Sequence, residues 1–159
     1  MLLADGLTLS AAVGWVAEAD FDDVGGADAG DLFDVESLEG ERFANVPDYT
    51  AQLSLDYITQ LRGDLRLRLY GDIRFIDDYV SSYSSDPLDS VDGFTIDSYT
   101  LSNASIGLES SSWSATLFVN NVFDEDSPIS RRAGSLLGSE PKVMMLQPRN
   151  VGVRLNYFF

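Results

Sequence analysis

Every second residue near the carboxyl end is apolar: Val151, Val153, Leu155, Tyr157 and Phe159 alternate with Gly152, Arg154, Asn156 and Phe158. A period of two belongs to a strand whose faces meet different surroundings. The pattern recurs along the chain. Leu7, Leu9, Ala11, Val13, Trp15 and Ala17 alternate with Thr8, Ser10, Ala12, Gly14, Val16 and Glu18, and Tyr49, Ala51, Leu53, Leu55 and Tyr57 alternate with Thr50, Gln52, Ser54 and Asp56. Leu65, Leu67, Leu69, Ile73 and Phe75 oppose Arg66, Arg68, Tyr70, Asp72 and Arg74, and Trp113, Ala115, Leu117 and Val119 oppose Ser114, Thr116, Phe118 and Asn120. Between 98 and 109 the phase is split: Ala104, Ile106 and Leu108 suggest one face, Tyr99 and Leu101 the other, and a bulge would reconcile them. An all-β, antiparallel, up-and-down arrangement of about six strands is expected, near 6–19, 47–60, 64–79, 98–109, 113–122 and 148–159.

Composition removes most alternatives. No stretch approaches the roughly 18 apolar residues of a transmembrane helix. The run AAVGWVAEA, with its Ala17 and Ala19, lacks the basic flank of a signal peptide, since the first basic residue is Arg42, and reads better as strand. With 26 acidic against 10 basic residues, the chain is a poor partner for nucleic acid, which is held by Lys and Arg. It has no Cys and no His, so disulfides, thiolate sites, imidazole ligands and Ser-His catalysis are all absent.

The connections carry as much information as the strands. Short turns around Arg62-Gly63 and Ser110-Ser111 alternate with three long links rich in Asp, Gly, Ser and Pro. Long links of this kind are uncommon in compact soluble domains, whereas outer-membrane barrels alternate short periplasmic turns with long external loops. Each expected strand also reaches the roughly 9–11 residues that a tilted membrane strand needs. If the short turns mark one membrane face, Tyr57, Trp113, Tyr157 and Phe159 fall near that face and Trp15, Tyr49, Phe75 and Tyr99 near the other, as two interfacial aromatic belts. The opposite strand faces, with Arg66, Arg68, Asp72 and Arg74 beside Gln52, Ser54 and Asp56, are too polar for a dry core and suit a wet lumen or the solvated side of a one-sided sheet.

No site chemistry stands out. The acidic loop 18–41 offers oxygen ligands to a hard cation, but its spacing is not that of an EF-hand and it reads as a solvated loop. Arg131, Arg132 and Lys142 could meet an anion or a lipid headgroup, although ordinary charge balance explains them better. The adjacent acids Asp22 and Asp23, and Asp77 and Asp78, define no pocket, so no catalytic residue, cofactor or metal is expected and the chain is not read as an enzyme.

Three segments carry a family resemblance: NVPDYTAQLSLDY at 45–57, YTLSNASIGLESSSWSATLFVNNVFDED at 99–126, and PRNVGVRLNYFF at 148–159. They resemble the C-terminal β-barrel portion of a TonB-dependent outer-membrane receptor, most specifically in the Tyr-Thr-Leu opening, the small turn before Trp113, the Asn-x-Phe-Asp segment 121–124 and the Pro-Arg start of an aromatic-terminated last strand. The resemblance implies that 1–159 is a C-terminal segment of a larger barrel, lacking the plug domain, or a truncated gene product of a longer parent. It implies a location in the bacterial outer membrane and energy-coupled uptake of a scarce nutrient of the siderophore, cobalamin or glycan class, with this segment supplying wall and external loops. Implied partners are outer-membrane lipid, the rest of the barrel and plug, the TonB complex acting through that plug, and the barrel-assembly machinery, which would read Val153, Leu155, Tyr157 and Phe159 as an insertion signal. Two other readings remain at this point: a small passive or adhesive barrel closed by oligomerisation, and a soluble β-sandwich binding module.

Overall fold

The computed structural model describes residues 2–22, 40–83, 94–132 and 142–159. Among the described residues, eleven strands follow in chain order: β1 (Leu2–Ala4), β2 (Leu7–Trp15), β3 (Tyr49–Arg62), β4 (Leu65–Ile76), β5 (Tyr79–Ser82), β6 (Phe94–Ile96), β7 (Tyr99–Glu109), β8 (Trp113–Asn120), β9 (Pro128–Arg132), β10 (Lys142–Met145) and β11 (Asn150–Tyr157). One antiparallel sheet of seven strands, ordered β1-β2-β3-β4-β7-β8-β11, contains all six long expected strands plus β1, and its two end strands do not pair with each other. The remaining four strands form two hairpins, β5-β6 and β9-β10, inside two of the long links.

The turns follow from local chemistry. Asp5-Gly6 joins β1 to β2 with Gly6 at φ +80°, and Gly63 sits at φ +61° between β3 and β4; both are left-handed positions that favour glycine in tight hairpins. These turns and the one at 110–112 lie at one end of the sheet, and the long links at the other.

Register then sorts the side chains. Leu9, Leu55, Gly71, Ala104, Val119 and Val151 form one continuous cross-strand row, and Leu7, Tyr57, Leu69, Ile106, Leu117 and Val153 the next. On the reverse face run Ser10, Ser54, Asp72, Asn103, Asn120 and Asn150. No second layer covers the apolar face among the described residues: Leu53 is 45% exposed, Leu117 46% and Leu155 74%. The buried apolar side chains among the described residues are Tyr79, Val80 and Ile96, all in the β5-β6 hairpin and none in the large sheet. A soluble sandwich buries the apolar face of its sheet between layers, so that reading does not describe this chain.

Five expectations are corrected. The phase split in β7 is not a bulge: pairing with β4 runs unbroken from Arg66↔Glu109 to Ile76↔Tyr99. Tyr99 and Leu101 lie on the polar face because there the sheet meets the β5-β6 and β9-β10 hairpins, whose apolar residues Tyr79, Ile129 and Met144 share hollows with them. Tyr99 therefore leaves the aromatic belt. The first strand ends at Trp15 rather than 19, although backbone pairing resumes beyond it, with Val16 N–H bonded to the Asp48 carbonyl at 2.8 Å and a bridge between Asp20 and Arg42. β8 and β11 each hold eight residues, below the roughly nine expected; β8 ends where Asn121 at φ +53° turns the chain away. Finally, two of the long links are not structureless, since each contains a hairpin.

Candidate functional site

The polar face is a network rather than a scatter of charges. Arg68 on β4 grips Asp56 on β3 with two bonds, Nε–Oδ1 at 3.0 Å and Nη2–Oδ2 at 2.6 Å. This fork geometry is the strongest that an arginine offers a carboxylate. Arg66 reaches Glu109 on β7 at 3.3 Å, and the Asn103 amide donates to Asp72 at 3.0 Å. Arg74 donates to the neutral Gln52 Oε1 at 3.2 Å. Further across, Asn120 donates to Asn150 at 3.1 Å and Asn156 to Ser114 at 3.0 Å, while the Arg154 guanidinium lies 5.5 Å from the Phe118 ring centre. Bonds between neighbouring strands thus satisfy a face that could not be packed dry.

At the long-link end, the polar face is roofed. Tyr79 is 7% exposed and its hydroxyl donates to the Ile129 carbonyl at 2.6 Å; burial, with Tyr99 beside it, pushes the phenol up to about 12. Ser81 accepts the Arg131 N–H at 2.8 Å and donates to the Arg131 carbonyl at 3.0 Å, tying the two hairpins together. Arg42 bridges Asp48 at 2.6 Å and Asp78 at 3.1 Å, and its carbonyl accepts the Tyr83 hydroxyl. Two hollows open beneath this roof on the polar side. The first, 430 Å³, is lined by Asn45, Pro47, Thr50, Gln52, Arg74 and Tyr99 among others. The second, 470 Å³, is lined by amides and apolar groups, including Asn103, Asn121, Gln147, Leu101 and Met144.

The motif residues that carried the resemblance come together. Asn121 is buried and donates to the Glu125 and Gln147 carbonyls at 2.8 and 3.0 Å, while its own oxygen accepts the Glu125 N–H at 2.8 Å. Asp124 holds Arg149, the residue just before the last strand, through its side chain and its N–H, at 3.0 Å each. Asn121 and Asp124 both take positive φ, +53° and +60°, a conformation that Asn and Asp tolerate best among residues with a Cβ. The sequence motif thus names a turn that seats β11.

The other predicted residues fall as follows. Trp15 lies across from Tyr49, whose ring stacks on Phe75 at 5.5 Å between centres, all at the long-link end of the apolar face. Trp113 lies across from Tyr157 at the turn end, with Phe159 edge-on to Tyr157 at 5.1 Å. Tyr57 sits in the row of Leu117, four residues further from that end. Strands of membrane barrels tilt by about 35–45°, so residues at one depth do not share a cross-strand row. Val153 and Leu155 are exposed on the same face. Arg131 lies 5.5 Å from the Phe94 ring centre and Lys142 is exposed on β10. Most of the acidic loop, 23–39, and with it Asp23, lies outside the described residues, as does the Arg132 side chain. Among the described residues, no group of three or more acidic side chains is placed to hold a metal ion. Sequence reasoning missed the hydroxyl cluster at the opposite end: Asp64 accepts from Ser110 Oγ, Ser111 N–H and Ser111 Oγ at 2.5, 3.0 and 2.8 Å, which lowers its pKa.

An all-antiparallel meander with one uncovered apolar face and one hydrogen-bonded polar face is the wall of a β-barrel. The chain matches the family model described as TonB dependent receptor-like, beta-barrel, over residues 4–122. That is more than half its length, and the chain belongs to this family of receptors and transporters, which normally resides in the bacterial outer membrane. The match takes in β2, which the motif resemblance reached by pattern only, and stops before β11. No curated protein and no solved structure matches significantly.

Proposed function

We propose that this chain is wall and external loops of an outer-membrane receptor that takes up a scarce nutrient with energy delivered by the TonB complex, through a plug that residues 1–159 do not contain. One observation carries the reading: the apolar rows cross the sheet from β2 to β11 without cover, while the reverse face is cross-linked by arginine, carboxylate and amide bonds. Hydrocarbon suits the first surface and a hydrated, plugged lumen the second. Trp15, Tyr49 and Phe75 then anchor one interface and Tyr57 and Trp113 the other. Val153, Leu155, Tyr157 and Phe159 serve as the signal read by the barrel-assembly machinery. The long links, with their roofed hollows, face outward toward ligand of the siderophore, cobalamin or glycan class.

Membrane fractionation tests this directly. The protein is expected with the outer membrane, migrating faster on a gel before boiling than after, and its transport is expected to stop when the TonB protein is deleted. Recovery in the soluble fraction or the inner membrane overturns the proposal. Replacing Phe159 and Tyr157 by Ser is expected to lower the amount that reaches the outer membrane.

A further inference from the structure

We propose that the 430 Å³ hollow at the long-link end binds a carboxylate-bearing ligand with an aromatic or aliphatic body, through Arg74. The inference rests on the receptor reading and deepens it by naming a ligand chemistry and a residue.

Arg74 differs from its neighbours on the polar face. Arg66 and Arg68 are each held by a carboxylate, Glu109 and Asp56, whereas Arg74 has a neutral amide oxygen, that of Gln52, as its hydrogen-bond acceptor among the described residues. Two carboxylates close to it in sequence are engaged elsewhere, Asp72 by Asn103 and Asp78 by Arg42. In a chain with 26 acidic and 10 basic residues, the lining of this hollow among the described residues includes Arg74 and no Asp or Glu. A guanidinium with free N–H groups presents a planar fork that matches a carboxylate edge-on. The bond between Arg74 and Gln52 also fixes the amide, since its oxygen accepts from the arginine and its NH₂ is left to donate.

The rest of the lining supplies the second half of the ligand's description. Tyr79, Tyr99 and Ile76 form an apolar flank, and Thr50 adds a hydroxyl. The flank is braced: Tyr79 is buried and bonded to the Ile129 carbonyl. A bare inorganic ion would leave this flank unused, and a neutral apolar molecule would cover the exposed Arg74 guanidinium without giving it a counter-charge. A compact anion with an apolar body satisfies both.

Benzoate is the probe, with benzamide as its neutral isostere and inorganic phosphate as the anion without a body, each titrated by ligand-observed NMR into the protein purified in detergent from outer membranes. Benzoate is expected to bind saturably and at least about tenfold more tightly than either control. Arg74→Gln is expected to remove that preference, and Arg74→Lys, which keeps the charge but not the fork, to retain part of it. Equal binding of benzoate and benzamide, phosphate binding as tight as benzoate, or undiminished benzoate binding by Arg74→Gln each overturns the site. Heat-dependent gel mobility of the same samples verifies that every variant is folded. If the protein sits in the outer membrane and no benzoate binds, the site is wrong and the receptor reading stands; if it never reaches the outer membrane, both are wrong.

Discussion

Asp124 receives two donors from Arg149, the backbone N–H on Oδ1 and the guanidinium Nη2 on Oδ2, both at 3.0 Å, while Arg149 Nη1 also donates to the Val122 carbonyl at 3.3 Å. The two residues are half-exposed, so the ion pair alone contributes little, about 0–1 kcal/mol. The backbone bond adds to it, because it fixes the residue just before β11 and hence the register of the last strand. Asp124→Asn keeps an acceptor for that N–H and tolerates the positive φ, whereas Asp124→Ala loses the acceptor and strains the backbone. Denaturant unfolding in detergent is expected to place Asp124→Asn within about 1 kcal/mol of the parent and Asp124→Ala about 1–2 kcal/mol lower.

A second contact specifies the same pairing by shape. A Cβ on Gly152 would stand 2.4 Å from Phe118 Cζ, across the β8-β11 ladder, so the ring lies over the glycine. Gly152→Val is expected to push Phe118 off its seat and cost about 1–3 kcal/mol by overpacking. Combining it with Phe118→Ala should recover most of that loss. A double mutant no better than Gly152→Val alone would show that the glycine serves the backbone rather than the ring.

Much of this was legible in the sequence, for a physical reason. Where a strand separates two unlike media along its whole length, each side chain must declare its face, and β2, β3, β4, β8 and β11 do so residue by residue. The alternation failed in β7, where one face changes its surroundings partway along: Asn103 meets Asp72 in the polar network, but Tyr99 and Leu101 meet the hairpin roof. Period-two reading assumes one environment per face and mistakes that change for a bulge. The roof itself was invisible because β5, β6, β9 and β10 span three to five residues each, too short for periodicity to register. The Asn-x-Phe-Asp and Pro-Arg motifs were visible separately, but nothing in their spacing said that Asp124 grips Arg149. Arg74 looked like one more member of a charged row, and only the partners of Arg66 and Arg68 set it apart.

The cluster at Asp64 predicts a pH dependence. Hydrogen bonds from Ser110 and Ser111 favour its ionised form and hold its pKa below the usual 3.8. A carboxyl with a depressed folded pKa adds stability that is complete above its unfolded value and is lost as pH falls through the folded one. The parent is therefore expected to be more stable than Asp64→Asn at pH 7, with the gap constant down to about pH 5 and closing below about pH 4. Unfolding midpoints measured from pH 7 to pH 2 check this. A gap that persists unchanged at pH 2 would assign the effect to packing of the turns instead of to charge.

Two adjacent positions in β3 test the sidedness of the whole sheet. Leu55 lies on the apolar face, 41% exposed, between Leu9 and Gly71, while Ser54 lies on the polar face between Ser10 and Asp72. An arginine at the middle of a lipid-facing surface costs about 2–4 kcal/mol, whereas the lumen side accepts charge. Leu55→Arg is therefore expected to lose that much stability in lipid vesicles and to reach the outer membrane poorly. Ser54→Arg, placed beside the Asp72 carboxylate, is expected to stay within about 1 kcal/mol of the parent. In a water-facing sheet the difference would vanish, since an arginine replacing an exposed leucine is harmless in solvent. The size of the difference between two neighbouring residues thus decides which medium the apolar rows touch.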